Sequence, residues 1–285
     1  MFKNILIPIS SEHYSKNVLK TGIFLAEKFH SNVTLVYIIE EKTINKTKKI
    51  IDSYRTPLEI EETKKTIILK HKQTADNIIF NDAKFLIKNK NISFVEKTTQ
   101  GEFSDAVKKE LGKKQYDLIL MGFEKGCLLN YRILEDVDIP VWIETKGYNK
   151  KILGVCSNLA PNQKVPKISI KLSKALNWDL QMLYVIDTED SVQVDEKGMR
   201  SGKKLRRDLE FGGQKFADEM KTKNIQTLTV RGSLENETIK AAKKFDAGLI
   251  VVGRQQKKKG KLGLPVKNIK RKIVEKCKYS ILFTN

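Results

Sequence analysis

Cysteine is scarce: Cys127, Cys156 and Cys277 are the three in 285 residues, with no CxxC pair among them. An odd, scattered set of this kind gives no disulfide framework. The three histidines, His13, His30 and His71, have neither metal-ligand spacing nor a cysteine nearby, so a zinc site is not expected. No apolar run approaches the roughly 18 residues that span a bilayer, and the opening MFKNILIPIS reads as a strand rather than a cleaved leader. A cytoplasmic protein without a membrane partner is therefore expected. There is no GxSxG, no HExxH and no GK[ST] phosphate loop, since Gly260-Lys261 is followed by Leu262. His13 is expected to be a solvated loop residue and Cys156 to be core, and neither Ser10 nor Ser157 has a recognisable base. Lacking an acid, base or metal, the chain has nothing to drive catalysis beyond slow nucleotide hydrolysis.

Acidic residues are also in short supply, 34 against 54 Lys and Arg, for a net charge of +20. With 40% hydrophobic and 31% charged residues the composition is globular. At roughly 150 residues per domain, two domains are expected, each able to bury a core.

What the chain does have is an internal duplication. KNILIPIS at 3–10 is echoed by KKILGVCS at 150–157, each an apolar run ending in serine. A helical pattern over 15–29 precedes VTLVYII at 33–39, and one over 165–176 precedes LQMLYVI at 180–186; both strands end in acidic residues. Strand patterns at 91–98 and 224–230 lead through Gly101-Glu102 and Gly232-Ser233 into helices over 105–111 and 236–245. YDLILMG at 116–122 matches DAGLIVVG at 246–253, and the copies close on PVWIE from Pro140 and SILFT from Ser280.

Each copy thus reads as five strands alternating with helices. Near-continuous apolar strands are buried on both faces, which calls for parallel sheets with right-handed crossovers and helices on both sides. The expected fold is α/β, two tandem doubly wound five-stranded parallel-sheet domains, 1–148 and 149–285, joined by a short linker near 146–149. The short linker points to an intramolecular pseudo-dimer. The irregular stretches at 40–57 and 188–202 read as surface loops, with a lid over a ligand as the alternative.

In an open parallel sheet, ligands sit beyond the carboxyl ends of the strands. That edge carries Ser10, Ile38, Gly122 and Gly126 in the first copy, and Ser157, Val185, Gly232 and Gly253 in the second. A glycine after a strand lets backbone approach phosphate closely, and the next helix start offers free N–H groups.

These segments together resemble a tandem universal stress protein over nearly the whole chain. The resemblance implies an adenine nucleotide alpha hydrolase-like fold, association through the last strands and, in one branch of the family, ATP binding with magnesium. That branch has an Asp closing the first strand and Gly-x2-Gly-x9-Gly-[Ser/Thr] after the fourth. Here Ser10 and Ser157 replace the Asp. In the first copy Gly122 matches, the second glycine is displaced to Gly126, and the phosphate-wrapping loop is missing, so this domain is expected to be mainly structural. The second copy keeps a long basic loop, 253–268, with Gly253 in place, Gln256 at the second glycine and Lys267-Asn268 at the close. An adenine nucleotide there would be held by Gly253, Arg254, Gly260, Lys261, Gly263, Lys267 and Asn268, with Ser157 and Val185 near base and ribose. The resemblance therefore implies a non-enzymatic stress-response binding or regulatory module, with nucleotide binding in the second domain as the alternative.

Charge is unevenly shared: residues 1–148 carry 24 basic and 20 acidic side chains, and 149–285 carry 30 and 14. Over 254–278 there are 11 basic residues against Glu275 alone. Such a run attracts a polyanion or an acidic protein partner, or simply decorates a solvated face; with no interleaved aromatics, base stacking has no platform. A further homodimer stays open.

Overall fold

The structure is a computed structural model that describes residues 1–42, 56–123, 133–134, 137–145, 149–160, 163–189, 191–195, 199–253 and 279–284. It divides into two compact units, 1–139 and 140–285.

The first unit is built on β1 (Asn4–Ser10), α1 (Lys16–Phe29), β2 (Asn32–Glu40), α2 (Pro57–Thr74), α3 (Asn81–Ile87), β3 (Phe94–Gly101), α4 (Phe103–Leu111) and β4 (Leu118–Gly122). Its strands lie in the order β3-β2-β1-β4, all parallel. Ile5, Leu6, Ile7, Leu35, Ile38, Ile39, Leu118 and Ile119 have no exposed surface, as continuous apolar strands covered on both faces require. Helix α1 turns Val18, Leu19, Ile23, Leu25 and Ala26 inward. It ends on His30 in the left-handed conformation, whose N–H returns to the Ala26 carbonyl. Helix α2 opens on a capping box, with Thr56 bonded to the Glu59 N–H and Glu59 bonded back to the Thr56 N–H. A π-helical turn over Ala75–Phe80 joins it to α3.

The second unit contains β5 (Val141–Glu144), β6 (Lys151–Ser157), α5 (Lys164–Leu176), β7 (Asp179–Asp187), β8 (Val192–Val194), β9 (Arg200–Lys203), α6 (Arg206–Thr222), β10 (Gln226–Gly232), α7 (Leu234–Phe245), β11 (Leu249–Gly253) and β12 (Ser280–Thr284). Here β10-β7-β6-β11-β12 form a five-stranded parallel sheet. Strand β5, which closes the first copy in sequence, runs antiparallel to β12 within this unit, with Val141, Trp142 and Ile143 opposite Phe283, Leu282 and Ile281. All six are buried, so the pairing is driven by apolar contact. The sheet architecture is therefore mixed, with the parallel order of the repeat preserved and one antiparallel junction.

The stretch after β7 is more ordered than a plain surface loop. Strands β8 and β9 form an antiparallel hairpin, Val192 opposite Lys203 and Val194 opposite Arg200. The corresponding stretch of the first copy, 43–55, lies outside the described residues.

Gly101 and Gly232, at the ends of β3 and β10, have φ of 137° and 143°. That region is open in practice to glycine alone, which explains the shared Gly-x turn ahead of α4 and α7.

Candidate functional site

The carboxyl edge of each sheet is where the fold places a ligand, and in both units a carboxylate from the second strand reaches into it. Glu40 and Asp187 occupy equivalent places, Glu40 opposite Gly101 on β3 and Asp187 opposite Gly232 on β10. Neither first strand ends in an acid; Ser10 and Ser157 stand there instead.

In the first unit, the Ser10 hydroxyl donates to Glu40 Oε1. It also accepts from the Glu12 N–H at 3.0 Å, while Ser11 Oγ accepts from the Glu40 N–H at 3.1 Å. Lys42 bridges Glu40 Oε2 and Glu12 Oε2 at 3.0 Å each. Partial burial alone would depress the Lys42 ammonium; the bonds to Glu40 and Glu12 outweigh it and hold Lys42 above its ordinary value. Gly122 faces Ser15, whose Cβ would stand 3.3 Å from an added Cβ. Ile38 is fully buried within β2, and Gly126 lies outside the described residues. At the described strand ends of this unit the polar groups are engaged with one another, two carboxylates meeting one lysine.

His13 differs from the solvated residue expected from sequence. The residue is half-buried, its N–H bonds the Ser10 carbonyl, and Nε2 is enclosed without a hydrogen-bond partner among the described residues.

In the second unit the carboxylate is used differently. Asp187 is buried; its Oδ2 accepts from the Leu234 N–H at 2.9 Å and its Oδ1 from the Glu189 N–H at 3.0 Å. Leu234 is the first residue of α7, and Ser233 before it makes no side-chain capping bond. Asp187 thus caps α7 from a neighbouring strand, where a negative charge meets the positive end of the helix dipole. Asn158 ties the assembly together: its Oδ1 accepts from the Asp187 N–H at 2.7 Å and its Nδ2 donates to the Val192 carbonyl at 2.7 Å. The hairpin is consequently fastened to the strand ends, with the Val194 N–H donating to the Asn158 carbonyl at 2.8 Å.

Ser157 and Gly253 share a cavity of about 30 Å³ with Val155, Cys156, Ala160, Val165, Leu234 and Val252. That is room for a water molecule, against roughly 300 Å³ or more for a small-ligand pocket. A Cβ added to Gly253 would stand 3.6 Å from Val165, so the backbone there is open to approach. Ser157 Oγ accepts from the Leu159 N–H at 3.1 Å. Val185 pairs with Ser157 but is fully buried, and Gly232 lies beside Asp187; neither lines the cavity. Arg254, Gly260, Lys261, Gly263, Lys267 and Asn268 lie outside the described residues, as does all of 254–278. The described part of this edge therefore holds a water-sized cavity at Ser157 and Gly253, too small by itself for a nucleotide.

Cys156 is core, and burial drives its thiol far above the ordinary range. Among the described residues, no group of three or more His, Cys, Asp or Glu is placed to hold a metal ion. Among them, too, no helix is long and apolar enough to cross a membrane.

Glu40, Asp187 and Asn158 were not singled out by motif. Their signal was nevertheless in the sequence, in two second strands that both end in an acid and in the asparagine after the KKILGVCS run.

Two tandem doubly wound α/β domains with glycines after the fourth strand define a duplicated Rossmann-like fold. The chain belongs to the universal stress protein family: the family model matches residues 1–139 and 149–284. It is accordingly a stress-response protein of the binding and regulatory kind. Among solved structures, it is similar to a universal stress protein from Archaeoglobus fulgidus at 11% identity, covering 99% of this chain and 96% of that one with a TM-score of 0.63. It is also similar to a functionally unknown protein from Pseudomonas aeruginosa at 12% identity, covering 99% and 92% with a TM-score of 0.66. No curated protein matches the chain.

Proposed function

We propose that the chain is a non-enzymatic stress-response module whose first domain is mainly structural and whose second domain faces the ligand. The observation that carries this is the difference between the two edges. In the first unit Ser10, Glu40, Glu12 and Lys42 satisfy one another across the strand ends. In the second, Asp187 is drawn away to the start of α7, leaving Ser157 and Gly253 beside a cavity.

The long basic loop at 254–268 favours a second reading, in which the second domain holds an adenine nucleotide. Ser157 would lie near the base and ribose, where Val185 is buried, and Gly253, Arg254, Lys261, Lys267 and Asn268 would meet the phosphates, with magnesium bound to the nucleotide. A polyanion or an acidic partner engaging 254–278 is the competing use of the same basic run. Calorimetric titration of Mg-ATP separates them, with heparin as a parallel titrant. Saturable binding of Mg-ATP at one site supports the nucleotide; heat from heparin alone supports a macromolecular polyanion.

A further inference from the structure

The start of α6 is richer in cations than the start of α2. Helix α2 begins with a capping box and Glu59 in its first turn. Helix α6 begins with Leu205 at the N-cap, without a side-chain bond, followed by Arg206 and Arg207. Cations in a first turn oppose the helix dipole, and leucine is a poor cap. Asp208 in the same turn offsets part of that charge.

The same place concentrates exposed apolar side chains. Leu205 is 62% exposed and Phe211 73%, while Leu209, Gly213, Phe216 and Met220 form the buried face of α6. Arg207 and Phe211, one turn apart, lie on the opposite side of the helix from that buried face. Lys203 and Lys204 precede them, both exposed, and neither has an ion-pair partner among the described residues. The hairpin packs beside α6 on its inward flank, where the Gln193 side chain of β8 lies 3.6 Å from an added Gly212 Cβ and the Tyr184 hydroxyl 3.7 Å. Glu210 takes Arg206 at 2.9 Å and Arg231 at 2.8 Å, and Asp208 is 3.7 Å from Arg207. Those two carboxylates leave cations in excess.

Protruding apolar side chains set among lysines and arginines suit a fluid anionic surface. Phosphate headgroups satisfy the cations, and Leu205 and Phe211 enter the boundary between headgroup and acyl chain, with no preformed groove required. A nucleic acid would use the cations and leave Leu205 without a role. A second copy of this chain is disfavoured by a net charge of +20.

We infer that the surface formed by Lys203, Lys204, Leu205, Arg206, Arg207 and Phe211 docks peripherally on an anionic lipid surface. No spanning segment is needed, and the contact is independent of any ligand at the sheet edge.

The test is cosedimentation of the full chain with vesicles of phosphatidylcholine containing about one-third phosphatidylglycerol, against phosphatidylcholine alone. Binding to the anionic vesicles only, weakening with salt, is expected. Each cation near the surface contributes about fivefold in partitioning, so Lys203→Gln with Lys204→Gln should lower binding on the order of 25-fold. Leu205→Ser with Phe211→Ser should lower it about tenfold or more at fixed charge. All four side chains are solvent-exposed, so unchanged tryptophan fluorescence should confirm the fold of each variant. Equal binding to neutral vesicles, or no binding at low salt, would overturn the inference. So would vesicle binding unaffected by the lysine pair, which would assign it to 254–278. Heparin binding lost with the lysine pair but untouched by the apolar pair, without vesicle binding, would identify a polyanion surface instead.

Discussion

Replacing Asp187 tests how the second unit is held together at its ligand edge. The carboxylate is buried and accepts from the N–H groups of Leu234 and Glu189, at 2.9 and 3.0 Å. In Asp187→Ala the Leu234 N–H is left buried without this acceptor, and the start of α7 loses its opposing charge. Hydrogen bonds to a charged group are each worth roughly 1.5–3 kcal/mol, and a buried orphan donor costs roughly 1–3. Counting one fully buried bond, one half-buried bond and partial relaxation, a loss of about 3 kcal/mol is expected. Asp187→Asn keeps one acceptor oxygen but turns an amide toward the second N–H, so a loss of about 1–2 kcal/mol is expected. Both tryptophans, Trp142 and Trp178, lie in the second unit, so their fluorescence follows its unfolding selectively. For a unit of this size about 3 kcal/mol corresponds to a fall in Tm of roughly 6–12 °C. A loss under about 1 kcal/mol for Asp187→Ala, or equal losses for Ala and Asn, would refute the capping role.

Gly248→Ala should be among the most damaging single substitutions in the second unit. An added Cβ would overlap the Asn149 backbone carbonyl, which cannot rotate away, so a loss of about 3 kcal/mol or more is expected in urea unfolding. Cys156, buried with its thiol driven upward by burial, should stay unmodified when the native protein is treated with a thiol reagent at pH 8 and mapped by peptide mass; labelling before unfolding would contradict its packing. In the first unit, burial lowers the His71 pKa below its ordinary 6.5, and Nδ1 lies 3.2 Å from the Tyr37 hydroxyl. The unfolded chain therefore binds the proton first. Stability from this contact should be complete above pH 6.5 and fall as pH drops below it, and His71→Gln should flatten that slope in circular-dichroism melts.

Much of the architecture was legible because buried parallel strands are apolar throughout, and the duplication supplied each pattern twice. Strand and helix bounds moved by only a few residues, most at β3, where 91–98 became Phe94–Gly101; its mixed polar sequence at the sheet edge blurs the periodicity. The antiparallel pairing of β5 with β12 was not written in either strand alone, since VWIE and SILFT satisfy parallel or antiparallel partners equally. At the ligand edge, the serines and glycines were found by position. The acids that decide the character of the two edges sit some thirty residues away, and Glu40 and Asp187 do different work despite equivalent places. That difference depends on which donor lies within reach: the Ser10 hydroxyl for one, the uncapped Leu234 N–H for the other.

The division between a closed first edge and a ligand-facing second one is tested most directly by calorimetric titration of Mg-ATP. The titration compares the intact chain with a variant in which Arg254, Lys257, Lys258, Lys259 and Lys261 are neutralised. One saturable site per chain, lost in that variant and retained in Ser10→Ala, is the expected result. Binding that survives neutralisation of the loop but is lost in Ser10→Ala would place the ligand in the first domain and contradict the division.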